Sequence, residues 1–218
     1  MIRVALLVAG KDLRIEARSR VLLWQVVPFG VIALVLSGLA LGPRRAGASG
    51  AGPGLFYLVL VLVALLMITR SHAIERRDGT RSSVATLGLD PAGVFLGKSL
   101  ALLVQLASAA LVLASGSVLV LHTSLVGTLR AAPSIAVAVA GLAAAGTLYG
   151  ALAAGEGAAT LLPLLALPAM APLLVAGERA YSAALTGTGL WQWWLILATA
   201  LVAYLGLGVL LYGVLEDF

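Results

Sequence analysis

One short stretch has the residue types of a nucleotide-binding loop. Residues 93–99, GVFLGKS, end in the Gly-Lys-Ser with which such a loop approaches phosphate groups. That loop needs four residues between its glycines, so that backbone N–H groups can curl around phosphate. Here only Val94, Phe95 and Leu96 separate them, and all three are apolar and lead into a hydrophobic segment. The sequence therefore does not support ATP binding by this chain.

Other residues that could carry chemistry are few and lie apart. The chain has no cysteine, which excludes a disulfide, a thiolate metal site and a cysteine nucleophile. His72 and His122 fall near opposite ends of hydrophobic segments, where a single imidazole is more often an interfacial anchor than an axial haem ligand. Glu156 stands between glycines in a short connection and fits a solvated turn. We expect no enzyme active site, no resident cofactor and no metal site.

The elements that position these residues are membrane-spanning helices. Hydrophobic residues make up 61% of the 218 residues, more than a soluble core of this size needs. A helix of about 20 apolar residues crosses the hydrocarbon layer while satisfying its own backbone hydrogen bonds. Six segments qualify: 21–41, 55–73, 99–121, 133–153, 160–177 and 190–215. We therefore expect an all-α polytopic membrane protein, with residues 1–218 forming a single transmembrane domain.

Two of these segments have further local features. The fourth places small residues four positions apart, as in Gly141 and Ala145 or Gly146 and Gly150, a spacing that favours close packing against another helix. The fifth contains Pro163, Pro168 and Pro172, each of which removes a backbone hydrogen bond, so this helix is expected to be kinked or interrupted.

The basic residues predict the orientation. The net charge of +5 could suggest nucleic acid, but the basic residues lie beside apolar spans, where they set topology and contact anionic lipid. With the N-terminus in the cytoplasm, ten of the fourteen Lys and Arg lie on that side: Arg3, Lys11, Arg14, Arg18, Arg20, Arg70, Arg76, Arg77, Arg81 and Lys98. Six spans then return the C-terminus to the cytoplasm as well.

Residues 1–20 are predicted to form an amphipathic helix. One face carries apolar residues and another carries basic ones: Ile2, Leu6, Ala9, Leu13 and Ala17 against Arg3, Lys11, Arg14 and Arg18. This pattern predicts a helix lying in the membrane interface, with an elbow near Arg20 that leads into the first span. Lys11, Arg14 and Arg18 would then lie among the lipid head groups. The alternative is a frayed tail whose arginines anchor it.

Three tryptophans open the last span at its predicted outer end. Trp191, Trp193 and Trp194 are typical of residues that anchor a helix at the membrane interface. The alternative is a platform on which a substrate stacks.

The longest polar passage is ERRDGTRSSVATLGLD, residues 75–90. Thr80 can cap a helix of about ten residues, and Asp90-Pro91 can end that helix and begin the next element. Such a helix, parallel to the membrane, offers a cytoplasmic protein an apolar edge and mixed charge. Its expected contact residues are Glu75, Arg76, Arg77, Asp78, Gly79, Arg81, Val84, Leu87, Asp90 and Pro91. The alternative is a solvated loop whose arginines only set topology.

The order of these features is similar to the membrane subunit of an ABC-2 type exporter. Within that class, ERRDGT at 75–80, LDPAGVFLGKSL at 89–100 and LLPLLALPAMAPLLVAG at 161–177 resemble CcmB, the haem exporter protein B family. The resemblance extends from Lys11-Asp12-Leu13 to the end of the sixth span. Two features depart from the family: Arg and Ser follow Gly79 where acidic residues and Leu are frequent, and Glu156 stands where basic residues are common.

The resemblance implies a transporter subunit of the inner membrane that works in cytochrome c maturation. Its partners would be a second copy of itself, two copies of a cytoplasmic ABC ATPase that carry the ATP, and haem-handling membrane subunits. Haem would be the substrate of the complex, or ATP hydrolysis would release a haem-loaded chaperone. Residues 75–90 would form the coupling helix. An ABC-2 permease for a lipid, drug or polysaccharide, and a non-transporting membrane scaffold, remain as alternatives.

Overall fold

The computed structural model describes residues 1–41, 50–77, 90–153 and 158–216, with side chains except at 23, 72–77, 158–163 and 215–216. Every regular element in these ranges is helical, as the sequence predicts. The elements are α1 (Ile2–Ser19), a π-helical turn (Leu22–Val26), α2 (Val27–Leu41), α3 (Gly52–Arg77), α4 (Pro91–Val120), α5 (Leu125–Leu152), α6 (Ala158–Thr186) and α7 (Trp191–Glu216).

Capping residues fix where two of the helices begin. Asp90 accepts a hydrogen bond at Oδ1 from the Ala92 backbone N–H, with Pro91 in the first helical position of α4. Ser124 accepts one at Oγ from the Gly127 N–H at 3.0 Å and caps α5. Hydropathy alone placed these starts at 99 and 133. The observed starts come earlier because the caps precede the apolar runs.

The small-residue helix α5 lies at the centre of the bundle. It contacts α3, α4, α6 and α7, and 17 of its 28 residues are buried. A Cβ at Gly141 would lie 2.5 Å from Leu173 Cδ2 of α6, and one at Gly146 would lie 2.4 Å from Ile68 Cδ1 of α3. These glycines therefore allow the close packing against other helices that the small residues of this segment predict. The edge helices α2 and α7 have only 17% and 11% of their apolar stretches buried.

Five helical stretches in the described ranges are long and apolar enough to cross a membrane. They are Trp24–Leu41, Gly52–Ser71, Pro91–Val120, Leu125–Leu152 and Trp191–Val214. The remaining predicted span, 160–177, falls within α6, which runs through its three prolines without interruption and continues to Thr186. Five spans are thus supported by length and hydropathy, and the sixth stays a prediction.

Contacts define two ends of the bundle. The Met1 amino group lies 3.3 Å from Asp90 Oδ2, and the start of α4 also meets the end of α7, where Pro91 contacts Gly213. We call this the N-terminal end. At the opposite end, Gly52 at the start of α3 packs against Thr123. Residues close to both chain termini therefore lie at the same end of the bundle.

Candidate functional site

The N-terminal end docks α1 against the first turns of α4. A Cβ at Gly93 would lie 3.0 Å from both the Met1 carbonyl oxygen and Val4 Cβ. A Cβ at Gly97 would lie 2.6 Å from the Ala5 carbonyl oxygen and 2.7 Å from Val8 Cβ. The two helices therefore touch backbone to backbone, an approach that only glycine permits. The two glycines that resemble a phosphate-binding loop are the contact surface for α1.

Helix α1 presents three faces, where the sequence indicated two. Ala5 and Ala9 are buried against the protein, whereas Ile2 and Leu6 are exposed apolar side chains beside them. Ala9 was predicted to face the acyl chains, and that assignment was wrong. Its small side chain belongs to the close contact with α4.

The basic face of α1 points away from the bundle. Arg14 and Arg18 are exposed, and Lys11 Nζ lies 3.0 Å from Asp12 Oδ1. Arg20 caps the end of α1 in the left-handed conformation, with a φ of 51°, at the residue where the elbow was expected. Placement of this helix in a membrane interface stays a prediction.

The start of α4 also packs against α7 on its other side. Phe95 packs against Tyr212 with ring centroids 5.5 Å apart, and Gly208 leaves room for the Phe95 ring. Lys98 Nζ lies 5.7 Å from the centroid of the Tyr212 ring. Together with α1, these contacts hold the first turns of α4 between two helices.

The expected partner-contact residues divide into three groups. Glu75, Arg76 and Arg77 are the last residues of α3, so a separate helix does not begin at 75. Asp90 and Pro91 begin α4. The others lie outside the described residues: Asp78, Gly79, Arg81, Val84 and Leu87. Because α3 ends and α4 begins at the N-terminal end, the segment 78–89 joins two helix ends that other helices hold in place.

A carboxylate that the sequence analysis did not single out ties α1 to α3. Glu16 Oε1 accepts a hydrogen bond of 2.6 Å from the Leu22 backbone N–H, and Glu16 Oε2 lies 4.0 Å from Arg70 Nη2. Arg70 also donates to Ser19 Oγ at 3.4 Å. One available signal was that Glu16, one of only two acidic residues in a mainly basic helix, lies four positions before the elbow.

The opposite end contains a largely buried group of hydroxyls, which we call the hydroxyl cluster. It consists of Ser117, Thr123, Thr128 and Tyr181. The Tyr181 Oη lies 2.8 Å from Thr128 Oγ1 and 3.1 Å from Ser117 Oγ. Since Ser117 and Thr128 also donate to carbonyls of their own helix ends, the cluster fastens α6 to the connection between α4 and α5.

Replacing Tyr181 with Phe should lower the free energy of unfolding by about 1 kcal/mol, because hydrogen bonds between membrane helices typically contribute about 0.6–2 kcal/mol. Tyr57→Phe is the matched control. Tyr57 is equally buried, but its hydroxyl has no hydrogen-bond partner among the described residues, so its removal should cost nothing. Equilibrium unfolding of both variants in lipid or detergent measures the difference. Equal losses of stability would contradict a role for the cluster.

The tryptophans and histidines lie at the positions that the sequence indicates along the helices. Trp191 and Trp194 are exposed at the start of α7, whereas Trp193 is half-buried and packs against the core. His122 is exposed between α4 and α5, and His72 lies near the end of α3 at the N-terminal end. Within the described ranges, no three His, Asp or Glu side chains cluster as a metal site would require.

The chain is similar to known proteins over nearly its whole length. A family model described as CcmB protein matches residues 3–212. The protein named Heme exporter protein B from Rhodobacter capsulatus is 27% identical over 171 residues, which cover 78% of this chain and 78% of that protein. Because the family match spans almost every helix described above, this chain belongs to the CcmB family.

Proposed function

We propose that this protein is the membrane subunit of an ABC transporter that exports haem for cytochrome c maturation. The observation that carries the proposal is the family match over residues 3–212, supported by the name of the relative, Heme exporter protein B. Haem is the substrate of the complex in this proposal, rather than a resident cofactor of this chain. The chain itself is not an enzyme, and its ATP is bound and hydrolysed by a partner subunit.

The placement of residues 93–99 supports the need for a partner ATPase. These residues lie within α4, where Gly93 and Gly97 are covered by α1 and Phe95 is buried against α7. Gly97 lies beyond the first turn, so its N–H group is engaged within the helix, whereas Gly93 lies in the first turn but is covered by Met1 and Val4 of α1. A nucleotide phosphate therefore has no access to these glycines.

In this proposal, the segment 78–89 contacts the ATPase and transmits its movement. It leaves α3 after Arg77 and enters α4 at Asp90, whose carboxylate is also paired with the Met1 amino group. The start of α4 packs against both α1 and α7. A displacement of this segment by the ATPase would therefore be transmitted to these helices. ATP-driven closure of the partner would thereby move the bundle, either to export haem or to release a haem-loaded chaperone.

The proposed arrangement in the membrane uses the remaining predicted features. The chain has six spans in the inner membrane and both termini in the cytoplasm, with Lys11, Arg14 and Arg18 of α1 among anionic head groups. Trp191 and Trp194 anchor α7 at the outer interface. The functional unit contains a second copy of this chain, two ATPase subunits and haem-handling membrane subunits.

Affinity purification of the tagged protein from its native membrane tests the proposal. Mass spectrometry of the accompanying proteins and an absorbance spectrum in the haem region are the two measurements. We expect an ABC ATPase together with haem-handling subunits. An ATPase accompanied by lipid-, drug- or sugar-handling proteins would instead indicate another ABC-2 permease. Recovery without any ATPase would overturn the transporter assignment in favour of a membrane scaffold.

A further inference from the structure

The joint between α1 and α2 bends where the local sequence does not require a bend. The backbone leaves the right-handed helix at Arg20, where φ is 51°, and a π-helical turn follows over Leu22–Val26. A non-glycine residue in the left-handed region is uncommon, and π turns are rare and concentrate at functional sites. Between Gly10 and Pro28 the chain has no glycine or proline. Hydrogen bonds and ion pairs, rather than glycine or proline, must therefore favour the bent conformation.

Glu16 supplies the contacts that hold this bend. Its carbonyl oxygen accepts a hydrogen bond of 2.8 Å from the Arg20 N–H, which closes α1. Its carboxylate oxygen Oε1 accepts the 2.6 Å hydrogen bond from the Leu22 N–H, which lies beyond the bend. One residue thus satisfies backbone donors on both sides of the joint, and its side chain is only 15% exposed.

Arg70 extends this junction to α3. Its guanidinium lies 4.0 Å from Glu16 Oε2 and 3.4 Å from Ser19 Oγ, so it contacts the last turn of α1. Arg70 is seven residues before Arg77, where α3 ends and the segment 78–89 begins. The joint is therefore linked to the helix end from which that segment leaves.

We propose that Glu16 is a latch that holds the α1–α2 joint bent, and that its release lets α2 move relative to α1. Helix α1 is fixed separately, because Gly93 and Gly97 of α4 receive it backbone to backbone. Helix α2 packs against α3 and α4, but its nearest neighbours at Gly30 are side chains, those of Val63 and Leu113, so of the two helices it is the one that can shift.

The latch can be tested by measuring the distance between α1 and α2 with paired spin labels. The chain has no cysteine, so labels attach only where cysteines are introduced. Leu7→Cys and Leu39→Cys place labels at exposed positions on the two helices. In the full-length protein in lipid bilayers we expect one narrow distance distribution. Glu16→Ala should add a second population displaced by about 5 Å or more, the length of one helical turn.

Two controls distinguish loss of the latch from a general disruption of the structure. Glu16→Gln keeps an oxygen that can accept from Leu22 N–H, so its distribution should match the parent protein. The pair Leu7→Cys and Leu119→Cys spans α1 and α4, with Leu119 exposed on α4, and Glu16→Ala should leave that distance unchanged.

An unchanged Leu7–Leu39 distance in Glu16→Ala would overturn the proposal. An equal change in both label pairs would also overturn it, since α1 would then have left α4. The measurement uses the subunit without its ATPase. Failure to recover an ATPase from native membrane would therefore refute the proposed function while the latch still stood.

Discussion

Gly97→Ala should destabilise the protein by about 1–3 kcal/mol, the usual cost of forcing an extra group into a packed contact. The added Cβ would lie 2.6 Å from the Ala5 carbonyl oxygen and 2.7 Å from Val8 Cβ. The first of these is a backbone atom of α1, so relief requires the whole helix to shift away from α4. Equilibrium unfolding measures the loss, and increased protease cleavage within α1 would report its displacement.

Gly10→Ala is the matched control for this substitution. Gly10 lies in α1 itself, and no other heavy atom would lie within 4 Å of its added Cβ. Alanine is the better helix former by about 1 kcal/mol, so this variant should be as stable as the parent protein or more so. Equal stability of Gly97→Ala and Gly10→Ala would contradict the close contact between α1 and α4.

Helix existence and type were predictable because composition and capping act locally. Six apolar segments led to six long helices besides α1, since a chain this apolar must satisfy its backbone hydrogen bonds within each segment. Asp90-Pro91 also marked the start of α4 correctly. The second span was predicted to end at 73, close to Ser71, where the observed apolar stretch ends, but the helix itself continues to Arg77. Polar Glu75, Arg76 and Arg77 lower hydropathy, yet they continue α3 because nothing in their side chains breaks a helix.

The contacts between helices could not be predicted from local pattern. Gly93 and Gly97 were noticed because of their spacing along the sequence, whereas their role is set by α1, which packs against them in space. Likewise, the sequence places Ala9 on the same apolar face as Ile2 and Leu6. In the structure Ala9 is buried, whereas Ile2 and Leu6 are exposed. The sequence of α1 alone does not show which of its apolar residues face lipid and which face α4. Packing of α1 against α4 decides this.

The same limit applies to the polar junctions. Glu16 and Arg70 are 54 positions apart in the numbering, and no periodicity links them. Tyr181 and Thr128 lie on different helices and meet only because α6 packs along α5. Such pairs matter in a membrane protein because an unpartnered polar group in hydrocarbon costs free energy that water would otherwise offset.

Removing the charges of Arg76, Asp78 and Arg81 together should reduce recovery of the ATPase in affinity purification by about tenfold, equivalent to about 1.4 kcal/mol. Exposed ion pairs each contribute about 0.2–1 kcal/mol, so three charges acting on one partner surface can supply that amount. Arg76 lies in the last turn of α3, and the other two lie outside the described residues, in the segment 78–89. Quantitative mass spectrometry of the purified complex is the measurement.

The control must lose the same net charge at the other end of the bundle. The triple alanine variant removes two positive charges and one negative charge, so it changes the net charge by one. Arg179→Ala makes the same change on α6, where Arg179 is exposed beside Glu178. We expect this variant to retain the ATPase. Because arginines also set topology, labelling of a cysteine placed at the C-terminus must give the same sidedness in all variants. Full ATPase recovery by a correctly oriented triple variant would mean that these charges set orientation and do not bind the partner.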